Sequence, residues 1–437
     1  MTLRRTLAAL VCAASTSFAI AADGESLRAL VLASDHAGLA AALESGADPN
    51  APLPDGSVPL AWASELQDGS AVRMLVDAGA NPNGGTNAFS PLLVACLNPN
   101  AEVLDALLDA GAQIDARSRD GVPVLSICAG RAPTSVVERM LDAGAAVDAT
   151  DASGQTALMW AAAHDRPDTF DLLLARGASI SATTATGFTP LFFAIKSGDG
   201  GMAQRALAAG ADLSHRSADG TSALQLALYQ GNTEFARTIA PRFDLAEVDV
   251  NGHKPLHAAV LTGDARLVGA LLEAEADANA LTSPSQIHWR FESNFKAGDY
   301  AWPIVPPLFL AAKAGDAETM MTLAEGGADP AWRDAQGDSL LHVAVTSGEP
   351  AALEAALALL PDANLRGRKD RTPLHIALTR VSGTALDAML ALLADRGARD
   401  DLADADGKTP ADIAHDEHFK GRAIFAALFE TTGDSGP

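Results

Sequence analysis

Much of what a catalytic or nucleic-acid-binding chain needs is scarce or missing in these 437 residues. There are three cysteines and two tyrosines, and aromatic residues make up only 5% of the chain. Basic residues number 31 against 55 acidic ones, for a formal net charge of −24. So acidic a chain is a poor match for nucleic acid or an anionic membrane, which recruit basic surface, and a surplus of acid serves solubility. Beyond residue 21 no apolar run is long enough to span a bilayer, so no membrane insertion is expected. No G-x-S-x-G, no H-E-x-x-H and no phosphate-binding glycine loop occurs. Ser293 to Lys296 matches S-x-x-K but has no S-D-N or K-T-G companion, which reads as a chance match. His415 and His418, with Asp412, Asp416 and Glu417, have helical spacing that reaches one zinc ion. They read instead as the wet face of a terminal helix. No enzyme is expected, and no catalytic, cofactor-binding or metal-ligating residue is assigned.

The first 21 residues have a different character. Arg4 and Arg5 precede a small-residue apolar stretch from Leu7 to Ile20, and Ala19-Ile20-Ala21 forms an A-x-A cleavage site. Residues 1–21 are read as a signal peptide and the protein as exported to the periplasm, with secretion as the alternative. Removing that segment leaves 29 basic and 55 acidic residues, a net charge of −26.

What is abundant is repetition. The stretch Gly154 to Ser181 reads as two short helices and the start of a hairpin. Thr156 is placed to cap the first helix. Leu158, Ala161 and Ala162 share one face, and the small alanines let a second helix approach. Asp165 to Asp168 makes the turn, Phe170 and Leu172 to Leu174 fill the second helix, and Gly177 supplies a left-handed helix end. Such a module is too short to bury its own apolar face. Equivalents of Leu158 recur at Leu27, Leu60, Leu92, Leu125, Leu191, Leu224, Leu256, Leu308, Leu341 and Leu374, then Ala411, mostly 32 or 33 residues apart. Nineteen residues after the marker stands Gly46, Gly79, Gly111, Gly144, Gly177, Gly210 or Gly327.

This pattern resembles the ankyrin repeat, a β-turn followed by two helices in about 33 residues. The family's T-P-L-H-x-A motif is nearly intact at Thr372 to Ala377, with weaker copies at Lys254 to Ala259, Phe188 to Leu191 and Leu340 to Ala344. The resemblance implies an all-α ankyrin-repeat solenoid of about twelve helix-turn-helix modules with short β-hairpin fingers, over residues 22–430, with 431–437 as a tail. It also implies that the fingers and first helices line a concave binding face, and that His257, His342 and His375 hydrogen-bond neighbouring hairpins. Cys96 and Cys128 fall in the first helices of neighbouring repeats. Stacked helices lie about 8–10 Å apart while a disulfide needs α-carbons within roughly 7 Å, so two small buried thiols are expected. Export keeps a bridge chemically open.

Departures from the repeat are specific. The glycine position becomes Phe243, Glu275 and Leu360, which predicts rebuilt helix ends. Four extra residues fall near Arg380 to Thr384. The largest departure inserts nineteen residues into one finger, residues 281–303, before Leu308. Its aromatics are Trp289, Phe291, Phe295, Tyr300 and Trp302, five of the 21 in the chain, and disordered linkers are poor in aromatics. They are expected to pack on the protein's own groove or on a partner. The finger segments together carry no net charge while the rest of the mature chain carries all of −26. Arg366, Arg368, Lys369 and Arg371 form the strongest local basic excess. The function expected is a non-catalytic scaffold of the bacterial envelope. It would be a monomer binding one protein partner, acidic in character, through the aromatic finger and these four cations. The alternative is a dedicated chaperone or immunity protein for a secreted enzyme.

Overall fold

The computed structural model describes residues 24–85, 90–198, 200–284, 304–415 and 421–430. Residues 1–23, residues 431–437 and the five aromatics of the insertion lie outside the described residues, as do Ser293 to Lys296 and His418. The chain divides into two compact units, residues 1–223 and 224–437. Each is a series of helix pairs. In the first unit the pairs are 24–32 with 36–44, 59–65 with 69–77, 91–97 with 101–109, 124–131 with 134–142, 157–163 with 167–175, and 190–196 with 200–208. In the second they are 223–229 with 233–239, 255–261 with 265–273, 307–314 with 317–325, 340–347 with 350–359, 373–380 with 383–395, and 410–414 with 422–425. Within each unit the first, inner helices pack on neighbouring inner helices, as 124–131 does on 157–163, and the second, outer helices on neighbouring outer ones, as 317–325 does on 350–359.

Local sequence explains these boundaries. Pro59, Pro91, Pro190, Pro255, Pro307, Pro373 and Pro410 open inner helices, where a missing N–H is harmless and φ is already helical. Outer helices open on Asp35, Asp68, Asn100, Asn232, Asp264 and Asp316, whose side chains accept N–H groups of the first turn. Thr156 accepts the N–H of Met159 at 3.4 Å, as its position in the sequence predicts. The markers Leu27, Leu60, Leu158, Leu191, Leu308, Leu341 and Leu374 have no solvent exposure. The small residues around them, such as Ala161 and Ala162, bring the helices close.

Among the described residues the fingers contain no strand. Three are closed by a single antiparallel bridge, Arg117 with Pro123, Arg216 with Ser222 and Arg333 with Ser339. Successive fingertips are joined by backbone bonds, such as Ala185 N–H to Ser153 O and Ala218 N–H to Thr186 O, both 2.9 Å. Side chains bridge repeats as well. Asn50, Asn83, Asn279 and Asn364 each donate their amide to the left-handed glycine carbonyl of the next repeat and accept an N–H two residues further on. Two groups that each need a partner are satisfied at once.

The irregular sites resolve in three ways. Glu275 keeps the left-handed geometry, φ +67°, despite its Cβ. Near Phe243 a short 3-10 turn, Ala240–Arg242, rebuilds the end, and at Leu360 the outer helix continues to Leu359 with extended backbone after it. The four extra residues before Gly397 lengthen the outer helix to 13 residues, Gly383–Asp395. The expectation of two free thiols is overturned: Cys96 and Cys128 form a disulfide, with α-carbons 5.0 Å apart and both side chains fully buried. The inner helices approach more closely here than the usual spacing because Ala95, Ala129 and Gly130 around the cysteines are small and buried.

The disulfide closes a loop of 32 residues in the first unit. Cys96→Ser or Cys128→Ser should therefore destabilise that unit by about 2–4 kcal/mol. Urea unfolding of the wild type with and without reductant measures the effect, and unreduced protein lacking residues 1–21, and with them Cys12, should show no titratable thiol.

Candidate functional site

The inner helices leave part of one face uncovered. Two residues after the marker stand Trp62, Trp160 and Phe193 in the first unit, all half-buried, where most other repeats carry an aliphatic residue such as Val94, Ile127 or Leu310. The Arg28 guanidinium lies 4.3 Å over the Trp62 ring, and the indole N–H donates to Ser57 Oγ at 2.8 Å. In the second unit Tyr229 and Leu261 end consecutive inner helices, 44% and 52% exposed. With Leu228, Thr233, Ala258 and Thr262 they line a shallow cavity of about 220 Å³. The Tyr229 hydroxyl donates to Asp249 and accepts from the Asn251 amide at 3.0 Å. Burial, then the Asp249 carboxylate, pushes the phenol up from its ordinary value. It stays protonated, so this cavity offers an apolar wall with a fixed hydroxyl and no nucleophile.

The enlarged finger has an ordinary stem. Thr282 N–H donates to Val305 O at 3.1 Å, and Val305 N–H donates to Thr282 Oγ1 at 3.0 Å. Ser283 N–H joins the preceding finger at Gly252 O, 2.7 Å away. The extra residues therefore leave from a closed stem. Beside it Val250, Leu281 and Ile304 are 43%, 39% and 51% exposed. The expected anchors Trp289, Phe291, Phe295, Tyr300 and Trp302 lie outside the described residues.

The basic finger is less available than its sequence suggests. Arg366 Nη1 donates to Ala403 O at 2.8 Å and to Asp370 O at 3.3 Å. Arginines eight residues before the marker do the same elsewhere: Arg117 bonds Gly121 O and Thr150 O, and Arg333 bonds Gly337 O and Arg366 O. This position is a strut between fingers, and its recurrence in the sequence is the signal that reveals it. Arg371 Nε meets Asp404 Oδ2 at 3.1 Å. Burial works to raise the Asp404 pKa, but the Lys408 N–H and the Arg371 guanidinium outweigh it and hold the carboxyl below its usual range. Lys369 Nζ lies 3.2 Å from Asp406. The Arg368 side chain has no hydrogen bond or ion pair among the described residues, although its N–H donates to Asp338 at 2.7 Å. Acids from neighbouring fingers thus offset the local excess that the linear sequence shows.

The three motif histidines are structural. His257, His342 and His375 donate Nε2–H to Val305 O, Arg371 O and Lys408 O of the following finger at 3.2, 2.8 and 3.1 Å. Each Nδ1 accepts the N–H of the residue that opens its own helix. Only the neutral imidazole fits both bonds. Burial pushes all three pKa values down, that of His257 to about 4. Among the described residues no cluster of histidine, cysteine, aspartate or glutamate is arranged to hold a metal ion, and no helix is long and apolar enough to cross a membrane.

Helix pairs joined through fingers, with a partly uncovered inner-helix face, define a solenoid-type repeat protein. The family model described as ankyrin repeats, three copies, matches residues 26–118, 125–213, 191–282 and 308–404. The chain belongs to the ankyrin-repeat family, whose members generally mediate protein–protein interaction without catalysis. Among solved structures it is similar to the crystal structure of the human ASB11 ankyrin repeat domain, at 24% identity and a TM-score of 0.42, over 46% of this chain and 90% of that one. No curated protein matches the sequence.

Two predictions follow from these contacts. Arg371→Glu should destabilise the second unit by about 2 kcal/mol or more, because it sets a like charge against buried Asp404. Arg368→Glu and Lys369→Glu should change stability by less than about 0.5 kcal/mol. Urea midpoints separate the two classes. For His257 the unfolded pKa is near 6.5 and the folded value is about 4, so the unfolded chain binds the proton more readily between them. Stability is full above about pH 6.5 and falls as pH drops toward 4, with a slope approaching about 1.4 kcal/mol per unit for this group. His257→Asn should flatten that slope, as read from urea unfolding between pH 7 and 5.

Proposed function

We propose that this protein is a non-catalytic docking protein of the bacterial envelope. It holds a protein partner on the face made by its fingers and inner helices, with the aromatic insertion 281–303 as anchor. The observation that carries this reading is the closed Thr282–Val305 stem. The fold keeps the same finger here that it uses elsewhere, so the nineteen added residues and their five aromatics are not needed to complete a repeat. Trp and Tyr are the side chains that dominate interface energetics. The signal-like residues 1–21 and the Cys96–Cys128 bridge, which persists in oxidising compartments, support the envelope location.

Replacing residues 285–303 by a short glycine-containing turn, with Thr282 and Val305 kept, should leave a cooperatively folded protein. Trp289→Ala and Trp302→Ala should each weaken partner affinity by about 2 kcal/mol. Partner capture from an envelope fraction, followed by affinity measurement on these variants, checks this. The captured mature chain should begin at Ala22 or Asp23. Loss of folding on replacement would make the insertion part of the core, and unchanged affinity would remove it from the interface.

A further inference from the structure

In the first unit, cations are treated differently on the two sides of the helix pairs. Arginines on or ending the outer helices are matched by acids of the preceding or following repeat. Arg73 pairs with Glu102, Arg139 with Asp105 and Asp109, Arg176 with Glu138 and Asp142, and Arg205 with Asp171. On the inner-helix side two cations, Arg131 and Lys196, lack such matching among the described residues. Arg131, exposed at the end of helix 124–131, donates Nη1–H to Leu97 O at 3.2 Å and makes no ion pair among the described residues. His164 follows on the next repeat, its ring against the backbone of Gly130 and 5.8 Å from that of Trp160. Lys196 ends the inner helix after that, exposed and without an ion pair among the described residues. Asp165, the exposed carboxylate next in sequence to His164, pairs with none of them. Apolar surface borders the row: Leu97 is 43% exposed, and Trp160 and Phe193 are half-buried.

The geometry points to a docking surface for an acidic peptide segment. It is formed by Arg131 and Lys196, with His164 between them and Leu97, Trp160 and Phe193 alongside, and takes carboxylates on the Arg131 and Lys196 cations and an apolar side chain beside them. This rests on the proposed protein-binding role and names the partner's chemistry. It also moves the acid-binding surface away from residues 366–371, where neighbouring carboxylates already face the cations. Charge complementarity is the argument. A chain of net charge −24 repels acidic peptides at long range, and cations without ion pairs among the described residues, beside half-buried aromatics, give such a peptide a specific place to land.

The test uses the mature full-length chain and a fluorescein-labelled peptide of three Glu-Leu-Trp repeats, with its Gln-Leu-Trp counterpart. The acidic peptide should bind at least tenfold more tightly than the glutamine one, and more weakly as salt rises. The pair Arg131→Gln and Lys196→Gln should remove that difference while the melting temperature stays unchanged. Equal affinity for the two peptides, no binding of the acidic one, or unchanged binding by the double variant would overturn the proposal. So would equally tight, variant-sensitive binding to phosphatidylglycerol vesicles or duplex DNA, which would mark a general polyanion site. If Trp160→Ala weakens both peptides equally while the charge variants do nothing, the acidic partner falls and the protein-binding face stands.

Discussion

A pair of helices mostly seven to ten residues long cannot bury its own apolar face, and the other features of this protein answer to that constraint. Isolated helices of this length are marginal in water. Here they are held by leucines and alanines that reach full burial only when a neighbouring repeat closes over them. Stability in such a protein is a sum of repeat and neighbour terms. The contacts that cross from one repeat to the next therefore matter more than those within one.

Those crossing contacts form several layers, each solving a local problem. At the fingers, backbone bonds and arginine struts satisfy carbonyls that turns leave open. Below them, neutral histidines tie the start of one inner helix to the next finger. At the helix ends, asparagine amides use the carbonyls of left-handed glycines. Along the outer helices of the first unit, arginines meet carboxylates one repeat away. Against these layers, Arg131 and Lys196 of the first unit stand out as inner-helix cations without an ion pair among the described residues.

The proposed function rests on departures from the repeat. An enlarged finger on a closed stem, aromatic residues where other repeats carry aliphatic ones, and cations without ion pairs among the described residues are features the repeat does not require. A scaffold whose stability is additive along the chain tolerates such local changes, since each affects only its neighbours.

The sequence by itself determined the repeat length, the twelve markers, the proline starts and the glycine ends, because spacing and backbone conformation are properties of local chemistry. Thr156 as a cap, Gly177 as a left-handed end and the role of the three motif histidines were all legible there. What could not be read was anything set by the distance between residues one repeat apart. The disulfide depends on how closely two inner helices approach, which the small residues around Cys96 and Cys128 decide only once packed. The basic character of residues 366–371 is real in linear sequence, yet Asp338, Asp404 and Asp406 reach it from neighbouring fingers. Whether Arg131 and Lys196 remain uncompensated was likewise a tertiary matter. Electrostatic pairing acts through space over a few ångströms, and in a repeat protein those ångströms separate residues more than thirty positions apart in the chain.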